Sequence, residues 1–223
     1  MCTRAGGPPD RMEEAAVKTW LVEELDVSRE TLERLEKFSA LLLEEATRQN
    51  LISRSTIDSF WDRHIRDSAQ LLSLATPAAR GGRWIDLGSG PGLPGMVLAI
   101  IGAMDMTLVE VRSRRVEFLQ RAHEQLGLGE RVHIEGRKVE RVEAGVFDVI
   151  AARAFTALPK LFSLAHRFAG TEAQWLLPKG KSAQEELAEA RRTWQGDFAL
   201  HASLTNDEAF IIDARNVRPR RGS

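Results

Sequence analysis

Apolar residues change their period near residue 84. Before it, Leu32, Leu35, Phe38, Leu42 and Ala46 recur at steps of three and four, the spacing that lines one face of a helix. Ser28 is placed to cap that helix and Glu30 falls in its first turn. A polar stretch, RQNLISRST at 48–56, separates it from IDSFWDRHIRDSAQLLSLA, where Phe60, Ile65, Leu71 and Leu72 sit among charges until Pro77 and Gly81-Gly82 end the segment. From Trp84 onward, short apolar runs alternate with helical stretches, the mark of a parallel sheet with crossover helices. Strands are predicted at about 84–88, 106–110, 131–135, 146–151 and 172–177. The clearest helix is 112–126, with Val116, Leu119, Ala122 and Leu126 on one face and Gly127 or Gly129 as its stop. After a helix at 182–195, FALHASL and EAFIIDARNV flank Thr205-Asn206-Asp207 and predict a closing antiparallel hairpin. The fold class is α/β, with a central, mostly parallel sheet carrying helices on both faces. A helical extension is expected over 10–80 and the core over 81–217. The Gly- and Pro-rich residues 1–9 are expected to be disordered, and 218–223 form a basic tail.

The first predicted strand runs into DLGSGPGLPG, residues 86–95. Glycines there let a backbone approach a ligand where a Cβ would collide, beyond the carboxyl ends of a parallel sheet. The frame Gly90-x-Gly92-x-x-Gly95 formally matches a dinucleotide fingerprint, and Glu110 ends the next strand 20 residues after Gly90, placed to accept from two ribose hydroxyls. Spacing therefore leaves a nicotinamide cofactor and S-adenosylmethionine both open, together with a plain tight turn. Two features favour the methyl donor. Asp86 lies two residues before Gly88, where a carboxylate faces a cationic methionine moiety but repels a pyrophosphate. Pro91 and Pro94 remove two N–H donors that a pyrophosphate needs.

Composition narrows the setting. The chain has 223 residues, 43% of them hydrophobic, enough for one domain with an extension. Its single cysteine, Cys2, excludes an internal disulfide, and the first residues lack the apolar core of a signal peptide. The apolar run Met96–Met104 contains Gly102 and stops at Asp105, short of the ~20 residues that span a bilayer. A reducing, cytoplasmic setting without membrane insertion is expected. Thirty-one Lys and Arg against 32 Asp and Glu make the chain as a whole no obvious polyanion binder. Basic residues cluster only locally, at Arg112, Arg114 and Arg115, at Lys179 and Lys181, and in the ending RPRRGS. His and Cys show no metal-ligand spacing, so no metal is expected.

The loop, together with NLIS at 50–53, RHIRDS at 63–68, LVEVRSRRVEFL at 108–119, ARAF at 152–155 and PKGK at 178–181, resembles the bacterial guanine-N7 methyltransferases of 16S ribosomal RNA, the glucose-inhibited division protein B family. The resemblance covers roughly residues 30–215. It implies a Rossmann-like class I methyltransferase using S-adenosyl-L-methionine, with 16S ribosomal RNA or the small ribosomal subunit as partner. It also implies a cofactor site at Gly88 and Leu93, with Glu110 at the ribose, Val139 and Glu140 near the adenine, and Arg153 of ARAF. Asp86 and Gly90 join that site from the loop reading. Where the family carries R-A-E or R-V-E, this chain reads GRKVE, with Lys138 in place of the arginine.

Guanine N7 carries a free lone pair at neutral pH, so the implied chemistry needs no general base. Catalysis then rests on alignment and electrostatics. Arg153 is the residue assigned to that work; the competing reading is a structural pair with an acid such as Asp86. Lys179, Lys181 and Arg112 are candidates for RNA phosphates, against solvated loop and helix faces. His64 is read as a structural group with Asp67 within helical reach, as part of the target pocket, or as a catalytic group. Asn50 and Ser68 belong to the same packing, and Phe155 either stacks on a purine or fills the core. A methyltransferase acting on a small molecule or protein, and a noncatalytic RNA- or nucleotide-binding module, remain the alternatives.

Overall fold

A computed structural model describes residues 11–220. The expected disorder at 1–9, and the end of the basic tail from 221, lie outside the described residues. Seven strands form one sheet in the order β3-β2-β1-β4-β5-β7-β6. β1 (Arg83–Leu87), β2 (Asp105–Val109), β3 (Val132–Glu135), β4 (Phe147–Ala151) and β5 (Ala169–Lys179) run parallel. β7 (Phe210–Pro219) lies between β5 and β6 (Trp194–Ala202), antiparallel to both. The predicted hairpin is present, with a longer connection than the three residues expected and with its last strand reaching Pro219, past the expected core limit at 217.

The sequence rules that start and stop these elements are visible in the coordinates. Ser28 Oγ accepts from Thr31 N at 3.2 Å to cap α2 (Arg29–Ala46), and Gly127, at φ 61°, ends α6 (Ser113–Leu126) in the left-handed region. Helix 182–195 is shorter than expected. It spans Ala183–Thr193 as α8, because Trp194 turns into β6 and its ring packs 5.6 Å from that of Phe162.

Alternation along each strand sends its side chains to two cores. Trp84, Met106, Leu108 and Val149 pack with α2, α5 (Gly95–Ile101) and α6 on one face. Ile85, Val109, Ile150 and Trp175 pack with α7 (Leu158–Ala165) and α8 on the other. The helical extension comprises α1 (Glu14–Leu25), α2, a 3-10 turn at Arg54–Ser59, a wide π-type turn at Trp61–Arg66, α3 (Asp67–Leu74) and the single turn α4 (Pro77–Arg80). It shares the first of these cores with the sheet: Leu35, Phe38 and Leu42 are fully buried in it. The order reverses between β1 and β4, and the carboxyl ends of β1, β2, β4, β5 and β6 all reach one edge of the sheet. In such sheets ligands bind at that reversal.

Candidate active site

β1 delivers Asp86 and then the loop. The carboxylate is fully buried, and its Oδ2 accepts from Gly95 N, the first residue of α5, at 3.0 Å. Its Oδ1 has no hydrogen-bond partner among the described residues. Burial pushes this carboxyl up to about 6, because the charged form is deprived of water. The turn requires glycine for two physical reasons. Gly88 stands at φ 72°, and a Cβ there would lie 2.5 Å from the Phe155 ring. Gly92 stands at φ 91°, and its Cβ would lie 2.7 Å from Cβ of Met96.

Glu110 follows β2 and ties the loop down. Its Oε2 accepts from Gly90 N at 3.0 Å, and its Oε1 accepts from Val111 N at 2.7 Å and Arg112 N at 2.9 Å. Arg115 Nη1 stands 3.7 Å from Oε2. Above these groups opens a cavity of about 400 Å³ lined by Gly88, Glu110, Val111, Val139, Glu140 and Phe155, among others. Val139 and Glu140 lie on one 3-10 turn, which Arg167 pins by donating to the carbonyls of Val139 and Val142 at 2.6 Å each. The unpaired carboxylate oxygen beneath the loop and the acceptor-rich rim at Glu110 fit a ligand with a positive centre and a ribose, as S-adenosylmethionine has.

A second cavity, of about 390 Å³, adjoins the first; Ala154, Phe155 and Thr156 line both. Ala154 is held at φ 52°, a backbone state that costs a non-glycine residue energy and clusters at functional sites. Here Arg153 Nη1 donates to Asp67 Oδ2 at 3.1 Å. Asp67 Oδ1 accepts from Gln70 at 3.0 Å and from Thr205 Oγ1 at 2.7 Å, while Arg63 donates to the Thr205 carbonyl at 2.5 Å. Arg153 therefore pairs with Asp67 and not with Asp86, the partner weighed from sequence. His64 sits in the wide turn, buried, and shares a hydrogen bond with Thr56 Oγ1 at 2.8 Å instead of reaching Asp67. Its Nδ1 has no hydrogen-bond partner among the described residues. Burial first, then the Arg153 charge, lower it to about 4, so the ring is neutral at pH 7.

The two cavities gather most of the sequence-predicted residues but not all. Gly88, Glu110, Arg112, Val139 and Glu140 line the first, and Arg153 and Lys179 the second. Leu93 is buried in the helical core behind the loop. Lys179 Nζ donates to Glu186 Oε2 at 2.7 Å and the Thr156 carbonyl at 2.8 Å, so its ammonium is already held inside the protein. Lys181 and Arg112 are exposed. Asp67, Gln70, Thr205 and Arg63 were not assigned a site role from sequence. RHIRDS already contained Asp67 and Arg63, whereas Thr205 carried only a turn signal. Val111, 54% exposed at the rim of the first cavity, was also missed; an apolar residue after a strand-ending acid was its signal. No group of three or more His, Cys, Asp or Glu among the described residues can hold a metal, and no described helix is long and apolar enough to cross a membrane.

The fold and the loop define a class I methyltransferase architecture. A methyltransferase from Aquifex aeolicus superposes with a TM-score of 0.56 at 14% identity, covering 70% of this chain and 92% of that one. A glycopeptide N-methyltransferase solved with S-adenosyl-L-methionine gives 0.58 at 8% identity, covering 68% and 93%. Sequence makes the assignment finer. The family model described as rRNA small subunit methyltransferase G matches residues 31–209, and the chain belongs to that family. Relatives bearing the name ribosomal RNA small subunit methyltransferase G include one from Zymomonas mobilis, 47% identical over 91% of this chain and 93% of its own length. Another, from Rhizorhabdus wittichii, is 48% identical over 94% and 95%. The expected fold, enzyme class and cofactor agree with these matches.

Proposed function

We propose that the chain transfers the methyl group of S-adenosylmethionine to N7 of a guanine in 16S ribosomal RNA, acting in the cytoplasm on the small ribosomal subunit. The observation that carries this reading is the pair of adjoining cavities at the carboxyl edge of the sheet, one fitted to an adenosyl ligand and one lined by charged side chains. When bound, the cofactor supplies an electrophilic methyl group on a sulfonium. Gly88, Gly90, Glu110, Val139 and Glu140 hold its adenosine half, with Asp86 as the countercharge beneath the loop and Leu93 as the packing that keeps the loop in place.

The second cavity receives the base. Extruding a nucleotide into such a pocket exposes its edges to directed hydrogen bonds. Arg153, fixed by Asp67, donates to the guanine and holds N7 in line with the methyl group, an orientation effect. Phe155 stands in the wall shared by the two ligands. His64, neutral at pH 7, shapes the pocket and moves no proton; the nucleophilic lone pair needs none removed. Lys181 and Arg112, both exposed, contact phosphates, and Lys179 positions the 178–182 loop through Glu186. Ribosomal RNA from cells lacking the gene tests the reading. Loss of one N7-methylguanine by mass spectrometry, restored by the wild-type gene, is expected; an unchanged methylation pattern overturns it.

A further inference from the structure

Among the described residues, Arg115 is where the adenosine cavity meets a separate groove. That groove, of about 1150 Å³, runs along 43–57 and is lined by Arg48, Asn50, Ser53, Arg54, Ile57 and Arg115 among others. Arg115 lines both openings. Its guanidinium reaches in two directions: Nη1 stands 3.7 Å from Glu110 Oε2, and Nη2 donates to the Asn50 carbonyl at 3.4 Å. The neighbouring Gln49 also donates to Arg114 O at 3.2 Å, so the 48–50 segment is tied to α6 at two adjacent points. Arg54 is exposed on the same groove. A groove with an exposed arginine and a shared one suits an RNA backbone.

The acceptor count at Glu110 gives Arg115 more than a structural part. Oε1 is filled by two amides, and Oε2 accepts one, leaving a lone pair on the side that Arg115 faces. A ribose hydroxyl can donate to that position. We propose that Arg115 is a positioning residue that couples the two openings, held by Glu110 when the adenosine cavity is empty and released toward an RNA phosphate in the 43–57 groove when a ribose hydroxyl bonds to Oε2. The coupling is reciprocal: RNA on Arg115 frees the Oε2 lone pair and tightens cofactor binding by the same factor. This inference rests on the function proposed above.

The test measures binding of small ribosomal subunits carrying unmethylated RNA, with and without S-adenosylhomocysteine, which fills the cavity without turnover. Wild type is expected to bind roughly 5- to 20-fold more tightly with the cofactor product present, within the usual range of such couplings. R115K keeps a cation for phosphate but loses the two-way fork, so it should bind subunits nearly as well as wild type with a ratio near one. R115A should lose both the ratio and subunit affinity, yet bind S-adenosylhomocysteine alone, by calorimetry, no more weakly than wild type. A purely structural role would instead weaken that binding. A wild-type ratio of one, or a ratio retained in R115K, overturns the coupling and leaves the methyltransferase reading intact. Failure of wild type to bind subunits at all overturns both.

Discussion

The two cavities on either side of Ala154–Thr156 are nearly equal in volume and opposite in construction. Main-chain amides and glycines build the first: Gly90, Val111 and Arg112 donate to one carboxylate, and Gly95 to another. Charged and polar side chains build the second, with Arg153, Asp67 and Thr205 joined across 86 and 138 residues of sequence. A main-chain site is rigid because its geometry is that of the fold. A side-chain site is held only by its mutual contacts, so one substitution releases several groups at once.

Two buried titratable groups, Asp86 under the glycine loop and His64 in the wide turn, are shifted in opposite senses. Asp86 is raised from 3.8 to about 6, so its contribution to stability is present below pH 4 and lost as pH rises through 6. His64 is lowered from 6.5 to about 4, so its contribution is present above pH 6.5 and lost as pH falls through 4. The largest expected effect follows from removing one side of this opposition. D86N should lose less stability than wild type between pH 5 and pH 8, because it has no buried carboxyl to ionise over that range, yet bind S-adenosylmethionine at least roughly tenfold more weakly. Urea titrations at pH 5 and 8 check the first part, and calorimetry the second; a variant that loses as much stability as wild type between the two pH values removes the buried charge as the cause.

The side-chain cavity should fail next. R153A is expected to lower kcat about 100-fold, the scale of a misplaced reactant, with cofactor affinity unchanged. If cofactor binding falls in parallel, Arg153 belongs to the first cavity and the division between the two disappears. E110A should do the reverse, weakening S-adenosylmethionine binding roughly 10- to 100-fold through lost charged hydrogen bonds. A kcat effect at saturating cofactor would blur the comparison. K181A should change least, weakening RNA binding a few-fold and lowering the salt slope by about one, as one phosphate contact does. No change in slope would leave Lys181 solvated in the complex.

The same contrast explains what could be read from the chain alone. Asp86, the glycines and Glu110 announce themselves because strand ends and left-handed turns are local, and the residues that satisfy them stand in one stretch or one strand apart. The five parallel strands were legible for the same reason, with ends displaced by a residue or a few. Thr205 could not be found this way: its partner Asp67 lies on another element, and only the register of β6 and β7 brings the 203–209 connection over Arg63 and Asp67. Lys179 shows the converse error. Lys179 does stand at the end of β5, but Glu186, in the first turn of α8, claims its charge, and no local pattern distinguishes that from an ammonium left for phosphate. The wide turn at Trp61–Arg66 likewise broke the helical spacing on which the His64–Asp67 pairing was judged.

One feature of the sheet bears on synthesis. β7, which follows β5 and β6 in the sequence, sits inside the sheet between them and not at its margin. A nascent chain emerging from its amino end can assemble the parallel strands early, but β5 keeps an open hydrogen-bonding flank, and β6 has no neighbour, until residues 210–219 have left the exit tunnel. Until β7 inserts, the sheet is two unjoined parts, and the open flank of β5 is the edge most exposed to pairing with another chain.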